Sequence, residues 1–329
     1  MKVAKRALVA SAFSAAIITM TGCGANPHEP NEKYILVAAN TKLPYWQTAL
    51  SGLNRAASEM KVKAEMDGPD TYDPKAEHDE FQRAVAQKPA GILISAADAS
   101  LMTPDINAAL AQGIPVITMD SDAPESKRLF FIGTDNYKAG TLGGKLTAKL
   151  LGGKGNVVIL TIPGQPNLKD RLHGYQDAIA EQSGLKIMQV VDMKGDPTIA
   201  FDTAKQMLDA KTKDKVDAFV CLEAISCPEV GEVVSRQSDA GKVKVIAMDT
   251  DQRTVDLINK GVISATIAQK PYTMGYYGAK LLADLHLNKP SSLTANFMQD
   301  PKSPVPTFVD TGSFVVDKEN LAGFLQGSK

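Results

Sequence analysis

The stretch VITMDSD at residues 116–122 returns almost unchanged as VIAMDTD at residues 245–251. Five of the seven letters are identical, and the copies are 245 − 116 = 129 residues apart. Each copy is a short apolar run that ends in an acidic residue, as a buried strand does when a polar turn follows it. Either aspartate alone is compatible with capping that turn. The repeat instead favours two similar lobes that direct Asp120 and Asp249 into one cleft.

Short β-rich runs alternate with helix-period stretches from Tyr34 onward. Continuous apolar strands of this kind indicate parallel sheets covered on both faces by helices. We therefore predict an α/β protein with two doubly wound sheets, whose ligand lies beyond the carboxyl ends of the strands. The predicted strands are residues 34–39, 90–95, 115–119, 129–133, 156–162, 187–193, 217–222, 244–248 and 264–268.

Composition narrows the class of protein. The chain has 329 residues, enough for two domains, and a formal net charge of −1 that offers no basic stripe for nucleic acid. Residues 139–147 fail as a phosphate-binding loop, and we predict a helix there with Asn136 at its N-cap. The four histidines show no metal-ligand spacing, and neither G-x-S-x-G nor HExxH occurs. We predict no cofactor and no metal.

The N-terminus predicts export. Lys2, Lys5 and Arg6 precede an apolar stretch too short to span a bilayer, as in a secretory signal at residues 1–22. Met20-Thr21-Gly22-Cys23 is similar to a bacterial lipobox, in which the cysteine is lipidated. The alternative is a soluble signal peptide with an incidental cysteine. We favour lipidation of Cys23, with residues 23–33 as a polar tether to the membrane.

The two remaining cysteines leave two alternatives. Cys221 falls in a predicted buried strand and Cys227 at the start of the next helix. An oxidising compartment permits a short disulfide between them, although the geometric window is narrow. Two buried, unreactive thiols are equally compatible with the sequence.

Five segments resemble the ribose/galactose-type periplasmic sugar-binding proteins of ABC importers (periplasmic binding protein type I fold) and follow that family's order. The resemblance implies two lobes joined by three crossovers, with residues 34–133 and 270–303 in the N-terminal lobe. Residues 134–269 and 304–329 would form the C-terminal lobe. The segments are YILVAANTKLPYWQTALSGLNRAA, GIPVITMDSDAPESKRLFFIGTDNYKAG, NLKDRLHGYQDAI, VIAMDTD and ISATIAQKPYTMGYYGAKLL.

The resemblance also implies a set of ligand-binding residues. Two aromatic rings after the first strand would stack on a sugar, and an arginine fork would donate to hydroxyl or ring oxygens. The family's contacts fall on Tyr45, Trp46, Asp120, Arg171, Glu223, Asp249 and Gln269. Two positions depart from the family: Glu223 stands where asparagine is common, and Gly195 where an aromatic residue is frequent. Stacking from the second lobe is therefore expected to be absent.

The charges of this set favour a neutral ligand. Three carboxylates face one arginine, with Lys42 as a possible neighbour, so an acidic or phosphorylated ligand would be heavily penalised. A neutral monosaccharide or polyol suits the site, and a cationic amino sugar suits Glu223. The expected protein is a monomeric, lipid-anchored periplasmic binding protein that delivers its ligand to a membrane permease.

Three other functions share some features with this sequence. A lactose-repressor-type regulator needs an N-terminal helix-turn-helix, whereas this chain begins with a signal peptide. A Mg²⁺-dependent hydrolase would use the two D-x-D strand ends, but no partner lysine is evident. Sugar sensing through a membrane receptor uses the same two lobes, and the sequence leaves it open beside transport.

Overall fold

The structure is a computed structural model that describes residues 27–209, 215–237, 239–289 and 297–327. The predicted signal peptide and the lipidation at Cys23 lie outside the described residues. Within them, no helix combines the length and apolar character needed to cross a membrane. The predicted tether, residues 23–33, is described only from residue 27 onward; β1 begins at Lys33, and the side chains of His28 and Glu32 bond at 2.8 Å just before it.

Strands and helices alternate along the chain as predicted. The strands are β1 (Lys33–Val37), β2 (Lys63–Asp67), β3 (Gly91–Ile94), β4 (Val116–Met119), β5 (Phe131–Gly133), β6 (Lys154–Thr161), β7 (Gly184–Asp192), β8 (Ala218–Cys221), β9 (Lys244–Met248), β10 (Ala265–Ala268), β11 (Phe308–Asp310) and β12 (Phe314–Asp317). The helices are α1 (Pro44–Met60), α2 (Pro74–Ala86), α3 (Ala99–Ala111), α4 (Asn136–Leu151), α5 (Pro166–Ala180), α6 (Pro197–Asp209), α7 (Ser226–Arg236), α8 (Gln252–Asn259), α9 (Pro271–Leu287) and α10 (Leu321–Gly327). All nine predicted strands are present, and residues 139–147 are helical.

The strands form two six-stranded sheets with equivalent order. The first runs β11-β5-β4-β3-β1-β2 and the second β12-β10-β9-β8-β6-β7. The prediction of two doubly wound lobes is therefore confirmed. The prediction of wholly parallel sheets is wrong for β12, which pairs antiparallel with β10. The other strands point their carboxyl ends toward the cleft, whereas β12 enters the second lobe from the cleft side and runs against them.

The chain passes between the sheets three times. It leaves the first sheet after β5, returns after β10, and leaves again between β11 and β12. The predicted boundary at residues 303 and 304 is wrong, because Phe308 to Asp310 pair with β5 of the first sheet. The last crossover therefore lies between Asp310 and Phe314.

Glycines bring the helices of each lobe into backbone contact. A Cβ placed on Gly52 of α1 would lie 2.0 Å from the carbonyl oxygen of Tyr272 in α9. A Cβ placed on Gly140 of α4 would lie 2.0 Å from the carbonyl oxygen of Arg171 in α5. Only glycine permits so close an approach. The helix that follows each of the first two crossovers is thus packed directly on a helix that begins at the cleft.

A disulfide closes the turn between β8 and α7. The sulfurs of Cys221 and Cys227 are bonded, with 5.6 Å between the two Cα atoms, and both side chains are buried. Of the two alternatives left by the sequence, the structure adopts the bridge. The bridge encloses residues 222–226, a segment that lines the cleft.

Candidate functional site

The two repeated strand ends share an unusual backbone conformation. Asp120 and Asp249 directly follow β4 and β9, with φ angles of 67° and 68°. Non-glycine residues seldom adopt positive φ, and holding one there costs about 1–3 kcal/mol. The repeat thus preserves a strained backbone geometry as well as its letters. In both lobes that geometry places the aspartate on the wall of the same cavity.

The second aspartate of each repeat points elsewhere. Asp122 binds Arg128, with 2.6 Å from Nη2 to Oδ2, and accepts from the Thr118 hydroxyl at 2.6 Å. Asp251 caps α8 and accepts from the Thr254 backbone N–H at 3.2 Å. Neither D-x-D pair therefore presents two carboxylates to one point. Over the described ranges, no group of three or more His, Cys, Asp or Glu is placed to hold a metal ion.

A cavity of about 80 Å³ lies between the carboxyl ends of the two sheets. A cavity needs about 10–15 Å³ of such space to admit one water molecule, so this cavity exceeds that minimum several-fold. The structure brings all the predicted ligand-binding residues to its wall: Tyr45, Trp46, Asp120, Arg171, Glu223, Asp249 and Gln269. Their contact with a ligand stays a prediction.

Asp120 forms hydrogen bonds with both lobes. In the first lobe, Tyr45 donates its hydroxyl to Oδ1 at 2.7 Å. From the second lobe, Asn167 in the first turn of α5 donates its amide to Oδ2 at 3.1 Å. Trp46 is only 3% exposed and meets the Tyr45 ring edge-on, with centroids 5.1 Å apart. The aromatic pair thus belongs to the first-lobe core and also forms one wall of the cavity.

Arg171 is the buried cation of the cavity. Its guanidinium is 2% exposed and donates to the Leu222 carbonyl, to the Asn136 side-chain oxygen and, at 3.4 Å, to Gln269 Oε1. The prediction of Asn136 as the N-cap of α4 is wrong, because Asp135 caps the helix and Asn136 is the first helical residue. Its side chain is instead used to fix Arg171. The Arg171 Nε–H is buried and has no hydrogen-bond partner in the described chain.

Gln269 links Arg171 to Asp249. Its amide nitrogen donates to Asp249 Oδ1 at 2.9 Å, while its amide oxygen accepts from the guanidinium. The Asp249 backbone carbonyl accepts from the Thr266 hydroxyl of β10 at 2.7 Å. A side chain at the second crossover therefore holds both charged groups of the second-lobe wall.

Glu223 has a structural role beside its place on the cavity wall. It accepts from the Ile225 backbone N–H at 2.7 Å and from the Ser226 hydroxyl. These bonds shape the turn that the Cys221–Cys227 disulfide closes. The carboxylate is therefore held in one position at the start of α7.

The carboxyl groups of the cavity have pKa values that are raised by burial. Burial raises the pKa of Asp249 to about 7, against the opposing effect of Arg171. Burial likewise raises the pKa of Glu223 to about 7, and burial raises the pKa of Asp120 although the Tyr45 hydrogen bond and Arg171 oppose it. Within the described ranges, no carboxylate oxygen lies within 4.0 Å of the Arg171 guanidinium. These raised pKa values reflect the burial of three carboxyl groups in one small cavity.

Lys42 does not join this cluster. Its ammonium lies 3.6 Å from Asp70, and the side chain is 71% exposed. The prediction of Lys42 as a neighbour of the carboxylates is therefore wrong, because its partner lies on the outer surface of the first lobe.

The cavity wall also includes residues that the sequence does not predict as ligand contacts, among them Asn167 and Tyr72. Asn167 lies within NLKDRLHGY, in which only Arg171 is predicted to bind the ligand. Tyr72, in the polar loop before α2, lines the cavity and packs against Gly195 of the second lobe. Burial raises the pKa of Tyr72 to about 12. An aromatic ring therefore stands beside Gly195 after all, although it comes from the other lobe.

Comparison with known proteins gives consistent matches over most of the chain. The family model described as the periplasmic binding protein domain matches residues 34–290. A sugar-binding protein of a sugar ABC transporter from Bacillus halodurans has a TM-score of 0.78 and 34% identity, covering 89% of this chain and 100% of that one. The arabinose-binding protein AraP from Geobacillus stearothermophilus has a TM-score of 0.73 and 33% identity, covering 90% and 99%. The xylose/arabinose-binding protein XylF of Sulfolobus acidocaldarius is 21% identical over 322 residues, 93% of this chain and 76% of that protein. The chain therefore belongs to the periplasmic binding protein family.

Proposed function

We propose that the protein captures a neutral monosaccharide between its lobes and delivers it to the permease of an ABC importer. The observation that carries the proposal is the buried Arg171 Nε–H, which lacks a partner on the wall of a cavity that also holds three carboxyl groups. A buried donor without an acceptor is costly, so a ligand oxygen at this point stabilises the closed protein. The solved relatives described as sugar-binding and arabinose-binding proteins support the ligand class.

The chemistry of the wall suits a polyhydroxylated ring. Asp120 and Asp249 accept hydrogen bonds from hydroxyls, and bonds to a charged acceptor are stronger than neutral ones. Arg171 donates to a hydroxyl or ring oxygen, and the rigid rings of Tyr45 and Trp46 offer an apolar face for sugar C–H groups. A phosphate or carboxylate on the ligand would bring further negative charge next to three buried carboxyl groups, and such a ligand is therefore disfavoured.

Capture requires both lobes. Asp120 and the aromatic pair lie in the first lobe, whereas Arg171, Glu223 and Asp249 lie in the second. Closure about the three crossovers removes these groups from water around one ligand, the hinge motion by which two-lobed receptors enclose small molecules. The Asn167–Asp120 hydrogen bond is a contact that exists only while the lobes are close.

We place the mature protein in the periplasm, anchored to the cell envelope membrane through lipid on Cys23 and acting as a monomer. We propose that it has no enzymatic turnover. Its strand-end carboxylates accept hydrogen bonds from Tyr45, Asn167 and Gln269, whose side chains offer no nucleophile–base pair to a bound sugar. The permease would recognise the two lobes in their closed arrangement.

The test is a thermal-shift screen followed by calorimetry on the mature protein. The panel comprises D-ribose, D-xylose, D-arabinose, D-allose, D-galactose, D-glucosamine and ribose 5-phosphate. We expect stabilisation by at least one neutral sugar, and none by ribose 5-phosphate. Binding of the phosphate ester alone, or Mg²⁺-dependent release of phosphate from it, would refute the proposal.

A further inference from the structure

Tyr72 of the first lobe and Gly195 of the second touch across the cleft. Tyr72 stands in the loop between β2 and α2, and Gly195 in the loop between β7 and α6. A Cβ placed on Gly195 would lie 2.8 Å from the Tyr72 Cβ and 2.9 Å from its Cδ1. No side chain fits at such distances, so the ring lies directly on the glycine backbone. Gly195 also has a φ of 76°, a conformation that glycine adopts without strain.

Tyr72 packs against the apolar cores of both lobes. Partly buried, it packs against the apolar core cluster of the first lobe and against that of the second. Tyr72 and Gly195 both line the interlobe cavity. A side chain that is rooted in one lobe and packs on the core of the other loses those contacts when the lobes separate. The contact is therefore specific to the closed arrangement.

We infer that Tyr72 is the second aromatic wall of the ligand cavity and that its packing on Gly195 stabilises the closed lobes. The inference rests on the proposed function for the identity of the ligand, a sugar ring. The interlobe contact itself does not depend on that proposal. The Gly195 loop offers no side chain to the cavity, and a tyrosine ring supplies an apolar face with one polar edge. The ring thus lines the cavity together with the Tyr45–Trp46 pair and sets which sugar C–H faces fit.

Because Tyr72 and Gly195 touch, the effect on sugar affinity of substituting one should depend on whether the other is substituted. Tyr72→Ala removes the wall and the interlobe packing, and we expect sugar binding to weaken about 10- to 100-fold, the range for unburying one large apolar side chain. Gly195→Ala introduces a methyl that meets the ring, and we expect it to weaken binding comparably. In a Tyr72→Gly background, which removes Tyr72 Cβ as well as the ring, the same methyl meets no side chain, so adding Gly195→Ala should cost less than about threefold; this background is the one used for the double-mutant cycle.

The experiment is a double-mutant cycle on the mature protein with Lys42→Ala as an exposed control in the same lobe. Calorimetry measures Kd for D-ribose, D-xylose and D-arabinose, and small-angle scattering measures the radius of gyration without added sugar. We expect the wild type and Lys42→Ala to be alike, and Tyr72→Ala and Gly195→Ala to be less compact and weaker in binding. Circular dichroism and unfolding measurements check that each variant folds.

The inference would be wrong if the losses of affinity in the cycle are additive. It would also be wrong if the Tyr72→Ala protein is as compact and binds sugar as tightly as the wild type. If the wild type binds no neutral sugar of the full panel, the proposed function fails on its own. Scattering without sugar then decides the interlobe contact: a Tyr72→Ala protein as compact as the wild type refutes it, and an expanded Tyr72→Ala protein supports it.

Discussion

Lowering the pH from 7 to 5 is expected to stabilise the protein when no sugar is added. The pKa of Asp249 is raised from 3.8 to about 7, and that of Glu223 from 4.5 to about 7, both by burial. Between pH 5 and pH 7 the unfolded chain has already lost both protons, while the folded protein still holds them. The folded state therefore binds more protons in this window, and stability falls as pH rises through it.

The magnitude follows from the size of the two shifts. One pKa unit corresponds to about 1.4 kcal/mol, so each group accounts for about 2 kcal/mol between pH 5 and pH 7, and the pair for about 4 kcal/mol. Carboxyl groups with lowered pKa, such as Glu32 and Asp98, act below this window and leave its slope unchanged. Above pH 7 the curve should level off, because both carboxyl groups are then ionised in the folded protein as well.

The assay is urea unfolding at pH 5, 6, 7 and 8, followed by the fluorescence of the protein's single tryptophan, Trp46, and by circular dichroism. Asp249→Asn keeps the hydrogen bond from Gln269 but removes the titrating group, so it should reduce the pH slope. Asp251→Asn, which keeps the cap of α8 on the neighbouring turn, is a control for the fold of that turn. Stability that stays constant or rises between pH 5 and pH 7 would refute the reasoning, as would an Asp249→Asn protein with the wild-type slope.

Three further expectations can be measured directly. Asp120→Ala and Asp249→Ala should each weaken sugar binding about 10- to 150-fold in calorimetry and reduce sugar-induced compaction, since a charged hydrogen bond contributes roughly 1.5–3 kcal/mol; a variant that binds and closes like the wild type would leave that aspartate only a turn-capping role. Replacing Cys221 and Cys227 by serine should lower the free energy of unfolding by about 2 kcal/mol and weaken sugar binding, because the bridge holds the loop that carries a cavity wall; unchanged affinity would show that the loop is fixed without it. Cys23→Ala should abolish labelling of the full precursor by radioactive palmitate and release the protein from membranes, and equal label in both proteins would contradict lipidation.

The parts of the fold that the sequence predicted are those with buried, continuous apolar strands. The missed strands lie at sheet edges or at the last crossover, where that signal is absent. In β2 the sequence KAEMD alternates charged and apolar residues because the strand is at an edge and half exposed. β11 and β12 lie at sheet edges and are largely exposed or half-buried, so neither shows a continuous buried apolar run.

Most of the candidate site was predicted from the resemblance to the family, and two of its residues were also indicated by the repeat. Asp120 and Asp249 were found because a repeated acidic residue at a strand end has few structural explanations. Asn167 and Tyr72 were missed because asparagine and tyrosine in polar loops are common, and their roles come from contact with the opposite lobe. The cap of α4 was misplaced by one residue, since Asp135 and Asn136 are equally good capping residues by type.

Backbone contact at Gly52 and Gly140 joins each cleft helix to a helix that begins at a crossover. Because main-chain atoms touch there, we expect α1 and α9 to move as one unit, and α4 and α5 likewise. A rotation at the crossovers would then move the ligand-binding residues of each lobe together. We therefore expect the angle between the lobes to report whether a ligand is bound. A donor and an acceptor fluorophore, one on the outer face of each lobe, would convert sugar concentration into energy-transfer efficiency.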